Sequence, residues 1–449
     1  MAVGYTKNDA DGRGPRNVTG ANRSAGVART LKSRGRGLLA TGLALTVGAG
    51  VLLLSAGSAG AAATATSTPG VTSNSITVGS ISDISAPIAG LFEGAKVGTE
   101  AYFAMINSEG GVNGRKLILN GMDSAFSSGT VTNDAQNIAA NDFAFVGGFS
   151  LLDGAEQTAI DTSKVPDIAQ VLSPSLYTDP NLYSAIPLVN GGEATGPFKW
   201  LKSKYPADVK AVGVIGSNSA ATAITAEHTF HTLTNSLGYN WVYDRDASFT
   251  ETSFLPDMIK MKNAGVKLLF EPTQQGAYIS TMAQENAQEG LNALLVSGSN
   301  AYEEGFKPGS AGNGTLVTTV TAMYMGQDGK LIPAVDTFDK WAKKVDPQTQ
   351  LDLYTLYGWI SAELFVQALK GAGTNPTRAS LDAQLNKVTT FNAQGLISNQ
   401  NPAQKIPGGC WIVIQYENGT WKRIAPDPKS GFVCNPGGFY PSSYKGVSR

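Results

Sequence analysis

Apolar positions follow two alternating periods along most of the chain. Short runs rich in β-branched residues alternate with longer segments in which apolar residues recur at i, i+3 and i+4. Strands are predicted at residues 76–81, 116–119, 143–146, 209–215, 240–243, 267–270 and 293–296. Helices are predicted at residues 92–107, 130–140, 195–205, 221–236, 254–263, 276–288, 335–344 and 353–369. This alternation predicts βαβ units and parallel sheets, and therefore an α/β fold.

The alternation restarts after Gly191 and Gly192, which predicts two successive α/β lobes. Residues 409–424 are predicted to form a hairpin that turns at Asn418 and Gly419. Open parallel sheets bind ligands beyond the carboxyl ends of their strands, so the loops at those ends are the candidate site. These loops are residues 82–91, 147–153, 171–177, 216–222, 271–278 and 297–304.

The first 63 residues have the pattern of a secretory signal peptide. Basic residues, of which Arg34 and Arg36 are the last, precede an apolar run at residues 38–54 and a small-residue stretch at 55–63. An uncleaved membrane anchor is the alternative, because the run is near the lower limit for spanning a bilayer. No cysteine follows the run, so a lipoprotein is not predicted. Either interpretation places the remaining chain outside the cytoplasm, after a flexible leader at residues 64–74.

Composition narrows the classes of function. Beyond residue 62, acidic residues outnumber basic ones and no basic stripe occurs, which argues against nucleic-acid binding. Cys410 and Cys434, the two cysteines, are predicted to form a disulfide in an exported protein, with two free thiols as the alternative.

The sequence shows no catalytic or metal-binding pattern. His228 and His231 lie off the apolar stripe of a predicted helix, and a zinc site would lack a third ligand. No nucleophile elbow, dinucleotide fingerprint or P-loop is found, so no metal, cofactor or enzymatic activity is predicted. Aromatic residues near the end of the chain are interpreted as core because their spacing is nearly helical; they are Tyr354, Tyr357, Trp359 and Phe365.

One segment resembles a known family. Residues 101–117 read Ala-Tyr-Phe-Ala-Met-Ile-Asn-Ser-Glu-Gly-Gly-Val-Asn-Gly-Arg-Lys-Leu, similar to a motif of the type I periplasmic solute-binding proteins of the leucine/isoleucine/valine-binding branch. Residues 76–79, 145–150 and 173–180 also fit, and the resemblance spans roughly residues 75–425. It implies two Rossmann-like lobes around a ligand cleft, joined by three crossings near Asn190, Thr319 and Gln404.

The resemblance also implies domain boundaries. Lobe one is expected at residues 75–190 and 320–404, and lobe two at residues 191–319 and 405–435. Residues 436–449 are expected to be a C-terminal tail. The implied function is an extracytoplasmic, monomeric receptor that delivers a small molecule to the membrane subunits of an ABC importer. The alternatives are a sensor of the same fold for an amide or neutral solute, and a secreted hydrolase.

Residues at the family's ligand positions depart from its pattern. The serine that holds the ligand carboxylate corresponds to Leu151, with Ser150 adjacent, and a threonine corresponds to Leu172 or Ser173. The acidic partner of the ligand ammonium corresponds to Ser299 or Asn300, and a tyrosine corresponds to Ala221. An alignment offset that would restore Ser150 or Glu303 (beside Glu304) to these roles is the alternative.

The cleft predicted from the strand-end loops is apolar in lobe one and rich in neutral hydrogen-bonding groups in lobe two. Such a cleft suits an uncharged or weakly polar solute. Leucine, isoleucine and valine are expected to bind weakly, because a zwitterion would leave a charge unpaired. The predicted ligand-binding residues are Leu91, Phe149, Ser150, Leu151, Leu172, Ser173, Ser217, Asn218, Gln274, Gln275, Tyr278, Asn300 and Tyr302.

Overall fold

The computed structural model describes residues 68–188, 193–218, 237–248, 250–426, 431–434 and 439–440. The predicted signal segment, Ala221, His228 and His231 lie outside these residues. Within the described residues, no helix combines the length and the apolar character that a membrane crossing needs.

Helices and strands alternate as the sequence predicts. The helices are α1 (Glu93–Ser108), α2 (Ser128–Asn141), α3 (Gln157–Ser163), α4 (Thr195–Lys204), α5 (Leu255–Asn263), α6 (Gly276–Gln288), α7 (Pro333–Val345), α8 (Leu353–Gly371) and α9 (Arg378–Leu385). The strands are β1 (Ser75–Ser82), β2 (Lys116–Asp123), β3 (Phe145–Val146), β4 (Asp167–Ile168), β5 (Glu193–Ala194), β6 (Val212–Ser217), β7 (Trp241–Ala247), β8 (Leu268–Glu271), β9 (Leu294–Ser297), β10 (Leu316–Thr319), β11 (Cys410–Glu417), β12 (Thr420–Ala425), β13 (Val433–Cys434) and β14 (Phe439–Tyr440).

The first sheet is parallel, with the strand order β2-β1-β3-β4. Its inner strand β1 buries Ile76, Val78 and Ile81, because helices cover both faces of a parallel sheet. The loops that follow β1, β2 and β3 therefore emerge along one edge of the sheet. That edge carries the lobe-one part of the candidate site.

Helix α8 returns from late in the chain to pack on α1. A Cβ atom on Gly98 would lie 1.9 Å from the carbonyl oxygen of Thr355, and one on Gly358 would lie 1.9 Å from that of Ala95. The two backbones can approach this closely only because both positions lack a side chain. This contact attaches α8 to the first lobe and brings its N-terminal turn to the strand-end loops.

The second sheet has the order β12-β11-β10-β9-β8-β6-β7. Strands β6 to β10 pair in parallel, whereas β11 pairs antiparallel with β10 and with β12. The β11–β12 hairpin turns at Asn418 (φ 50°) and Gly419 (φ 82°), in the left-handed region that tight hairpin turns require. Two lobes result, each built on its own sheet. The boundaries near residues 190, 319 and 404 stay a proposal.

Several predicted boundaries need correction. Strand β3 contains only Phe145 and Val146, and β6 begins at Val212 because Asp208–Lys210 forms a 3-10 turn. Strands β4 and β10 and helices α3 and α9 were not predicted. Each of these elements is short, so it spans too few residues for an apolar period to be recognised.

Cys410 and Cys434 form a disulfide, as predicted. The bridge joins the first residue of β11 to β13, which pairs antiparallel with it at Cys410 and Trp411. Trp411 is buried among the core residues of the second lobe. The bridge therefore fastens a terminal segment to the start of β11, which lies next to the carboxyl end of β10 because Thr319 pairs with Ile412.

Reduction of this disulfide is expected to lower stability and to leave ligand affinity unchanged. On the chain-entropy model, the 24-residue separation corresponds to about 3 kcal/mol of unfolding free energy. Denaturant unfolding with and without reductant measures the loss, and calorimetry on the reduced protein measures the affinity. Two thiols that alkylate in the folded, unreduced protein would contradict the pairing.

Candidate functional site

An apolar cluster lies at the strand-end edge of the first lobe. Its buried members are Leu91, Phe92, Ala95, Phe149 and Tyr354, and Leu151, Leu172 and Tyr357 pack against them. The structure thus brings together four of the predicted ligand-binding residues, namely Leu91, Phe149, Leu151 and Leu172. We call this set of eight residues the cleft cluster.

Phe149 is the centre of the cleft cluster. Its ring centroid lies 4.7 Å from that of Phe92, 4.8 Å from Tyr354 and 5.7 Å from Tyr357. Tyr354 and Tyr357 come from the first turns of α8, which the α1 contact holds in place. Both tyrosines are predicted to be core residues, and they pack in this buried cluster beside the predicted cleft residues; Tyr357 also packs against the large core. Trp359 and Phe365 lie in the larger core, as predicted.

Three donors converge on the carboxylate of Asp83 beside this cluster. Ser150 donates its hydroxyl to Oδ1 at 2.7 Å, Leu151 donates its backbone N–H to Oδ2 at 2.8 Å, and the hydroxyl of Ser124 also donates to Oδ1. Burial raises the pKa of Asp83, and these hydrogen bonds oppose the rise. The predicted ligand contact Ser150 is therefore engaged with a carboxylate of the protein itself.

A second carboxylate has the same arrangement. Asp153 accepts hydrogen bonds from the backbone N–H groups of Leu172 and Ser173 and from the Ser173 hydroxyl. Burial raises its pKa, and the bonds from Ser173 and Leu172 oppose the rise. Ser173, another predicted ligand contact, is thus also engaged internally.

The second lobe meets the cleft cluster through Gln275. Its Nε2 atom donates to the backbone oxygen of Leu91 at 3.1 Å, a direct contact between the lobes. Gln274 and Tyr278, which are close to Gln275 in sequence, are also buried. Among the residues that the structure describes, the Gln274 amide nitrogen and the Tyr278 hydroxyl have no hydrogen-bond partner. The Gln274 amide, next to Gln275, can serve a ligand that enters the cleft. Tyr278 lies in the large core, with its ring centroid 4.4 Å from that of Phe254, so it does not join the cleft cluster.

Other predicted contacts lie elsewhere. Tyr302 is fully buried in the large core, where its hydroxyl donates to Gln327 at 2.5 Å, so it does not join the cleft cluster. Asn300 donates from Nδ2 to the Thr273 backbone oxygen at 2.9 Å, which connects it to the loop at residues 271–278. Ser217 ends β6, and Asn218 is exposed beside it.

Buried acids near the cleft bind backbone N–H groups of the protein. Glu303 accepts from the Gly276 N–H at 2.6 Å, at the start of α6. Asp352 accepts from the Thr355 N–H at 2.6 Å, as the N-cap of α8. Glu271 accepts from the Gln274 N–H at 2.9 Å.

Burial, together with the nearby charge of Asp352, raises the pKa of Glu303 to about 8. Burial raises the pKa of Glu271 to about 7 and that of Asp352 to about 6.

These raised pKa values predict that the folded protein is most stable at acid pH. The folded state binds protons more tightly than the unfolded chain, whose carboxyl pKa values are about 4. The stabilisation is fully present below that unfolded pKa and is lost as the pH rises through the folded pKa values of about 6 to about 8. Melting temperatures should therefore fall between about pH 5 and about pH 8. Glu303→Gln should flatten this fall, whereas the more exposed Glu304→Gln should not. A melting temperature that rises over this interval would contradict the assignment.

Sequence comparison identifies a family and known proteins that are similar to this chain. The sequence profile of a family described as "Periplasmic binding protein" matches residues 75–420. A Leu/Ile/Val-binding protein homolog 1 from Brucella suis is 25% identical over 334 residues, covering 72% of this chain and 85% of that protein.

Solved structures share the fold at lower identity. A fatty acid ABC transporter substrate-binding protein from Thermomonospora curvata has a TM-score of 0.68 and 17% identity, covering 80% of this chain and 93% of that chain. An ABC transporter solute-binding protein from R. palustris, in complex with benzoate, has a TM-score of 0.66 and 16% identity, covering 81% and 98%.

Proposed function

Because the chain belongs to the periplasmic binding protein family, we propose that it is an extracytoplasmic receptor that captures a small molecule between its lobes and delivers it to an ABC importer. The export signal predicted in the first 63 residues fits this location. Cleavage of that segment and its retention as a membrane tether both fit the proposal. The receptor acts as a monomer, and no cofactor takes part.

The observation that carries the proposal is the cleft cluster together with the Gln275–Leu91 contact. Aromatic rings from α8 and from the loops after β1 and β3 form one apolar wall. Gln275, which precedes α6 in the second lobe, contacts this wall by donating a hydrogen bond to the backbone oxygen of Leu91. A ligand that contacts both walls stabilises only the closed arrangement, so its binding energy drives closure.

The ligand that fits this wall has an apolar body and no net charge. Apolar surface stacks on Phe149 and Leu172, and the buried amide of Gln274 meets its polar atoms. Neutral amides, aromatic compounds and short-chain apolar compounds are the candidates. The benzoate and fatty acid named for the similar structures also have apolar bodies but carry a carboxylate, so they support the apolar wall and not the absence of charge.

Hydrolysis is the function from another class. The hydroxyls of Ser150 and Ser173 donate to the carboxylates of Asp83 and Asp153, respectively. These hydrogen bonds fix the orientation of each hydroxyl and do not pair it with an imidazole base, which a nucleophilic serine needs. We therefore propose binding without catalysis. A sensor of the same fold would use the same cleft, and genomic neighbours distinguish it from an importer receptor.

A thermal-shift screen of the secreted protein tests the proposal. Neutral amides, aromatics and short-chain apolar compounds are compared with aliphatic amino acids, and at least one neutral compound should raise the melting temperature in a saturable manner. The same protein is incubated with ester, amide and glycoside panels. Turnover that a single side-chain change abolishes would overturn the receptor proposal.

A further inference from the structure

Asp83 is fully buried at the point where three strand-end loops meet. Its backbone N–H donates to the Phe149 oxygen at 3.3 Å, and its backbone oxygen accepts from the Phe92 N–H at 3.1 Å. Its side chain accepts from Ser124, Ser150 and the Leu151 N–H. Phe92 and Phe149, which bond to its backbone, belong to the cleft cluster. Leu151, which bonds to its side chain, belongs to it as well.

The donors around Asp83 have the character of an anion site. Two hydroxyls and one backbone N–H converge from the loops after β2 and β3, at the carboxyl ends of parallel strands where ligands of open sheets bind. All three donate to the carboxylate, which favours its ionised form. The position that would hold an anionic group of a ligand is thus filled by the protein.

We propose that Asp83 is a built-in carboxylate that occupies the anion position of the cleft and excludes ligands that carry a carboxylate. This inference rests on the proposed function and names the ligand class that the receptor rejects. Asp153 strengthens the exclusion, because it satisfies the donors of the next loop, Leu172 and Ser173, in the same way.

The discrimination has two physical sources. A ligand carboxylate would find the Ser150 and Leu151 donors already bonded, so its own oxygens would stay unsatisfied. It would also lie near the negative charge of Asp83 in a site with little water, where like charges repel strongly. Neutral ligands meet neither cost, and the preference for them should be about tenfold or more.

A vacant anion position is created by Asp83→Ala. The variant is titrated with sodium acetate at constant ionic strength, with sodium chloride as the balancing salt, and its melting temperature is followed. We expect it to melt below the unaltered protein and to regain much of the loss as acetate saturates the position. Acetate should leave the unaltered protein unchanged.

Asp123→Ala is the matched control. The Asp123 carboxylate at the end of β2 also accepts backbone N–H bonds, from Ile84, Ser85 and Ala125, but none from Ser150 or Leu151. Because Asp123 is partly exposed whereas Asp83 is fully buried, water can satisfy these N–H groups in the Asp123 variant, which should show no saturable acetate response. An Asp83→Ala protein that responds to acetate no more than to chloride, or no more than Asp123→Ala does, would overturn the inference.

Asp83→Asn covers the case in which the alanine variant does not fold. The amide keeps the size of the side chain and removes its charge. Benzoate and benzamide, which differ little in shape, are titrated by calorimetry into both proteins. We expect the affinity for benzoate relative to benzamide to rise about tenfold in the variant. An unchanged ratio would overturn the inference.

If neither compound binds, acetate-dependent refolding of Asp83→Ala decides. Refolding in acetate and not in chloride supports the inference, and equal refolding yields in the two salts refute it. Each outcome is independent of the ligand screen on the unaltered chain.

Discussion

Replacing Phe149 by alanine is expected to weaken binding of the neutral ligand about a hundredfold and to lower the free energy of unfolding by about 3 to 5 kcal/mol. The ring contacts Phe92, Tyr354 and Tyr357 and is only 4% exposed. Its removal opens a cavity in the cleft cluster and takes away the surface on which the ligand packs. Calorimetry with the compound that gives the largest thermal shift measures the affinity.

Phe338→Ala is the matched control for this prediction. Phe338 is as buried as Phe149, and its ring lies 5.5 Å from that of Trp359 and 6.1 Å from that of Tyr324, in the large core. The control should lose a similar amount of stability and keep its affinity. Equal losses of affinity in the two variants would show that Phe149 acts through the fold alone.

Replacing Asp328 by alanine is expected to cost about 3 to 5 kcal/mol of unfolding free energy. Asp328 forms a buried ion pair with Arg423 of β12 and also accepts the Met323 N–H at 2.8 Å. The pair ties the second-lobe hairpin to the segment after β10. Removing the carboxylate leaves the guanidinium buried without its charge partner. Denaturant unfolding measures the loss.

The double variant Asp328→Leu with Arg423→Met is the control. Replacing both charges by apolar side chains avoids an unpaired buried charge, and such replacements are often neutral or stabilising. The double variant should therefore recover most of the stability that Asp328→Ala loses. A double variant as unstable as the single one would show that the charge itself is not the cause.

The fold could be predicted from the sequence because its signals are local. Alternating periods of two and 3.6 residues identify βαβ units, and a hairpin turn such as Asn418-Gly419 specifies its own backbone. The predicted two-lobed α/β fold, the family resemblance and the function as a periplasmic binding protein are confirmed. The resemblance rested on a contiguous motif at residues 101–117, which no long-range contact is needed to recognise.

The candidate site could be predicted only in part. Leu91, Phe149, Leu151 and Leu172 follow strands of one sheet, so topology alone brings them together. Tyr354 and Tyr357 reach the same cluster because α8 packs on α1, and near-helical spacing cannot distinguish a cleft wall from a core.

The role of Asp83 could not be inferred from the residue types in the loops alone. It stands in one of the candidate loops, directly after β1, and its presence there was the available signal. Ser150 and Ser173 are predicted as ligand contacts because their hydroxyls are hydrogen-bond donors in strand-end loops, but in the fold these hydroxyls already donate to Asp83 and Asp153. Which group a donor meets depends on side-chain directions at the ends of three strands, and only the folded chain supplies these.

The central claim is that the cleft accepts a neutral molecule and rejects a zwitterion. Calorimetric titration of the protein with leucine and with isocaproamide, which keeps the leucine side chain and lacks both charges, tests it most directly. The account predicts that isocaproamide binds at least about tenfold more tightly than leucine. Micromolar binding of leucine that is lost in Glu303→Gln would contradict it, because Glu303 would then be the partner of the ligand ammonium.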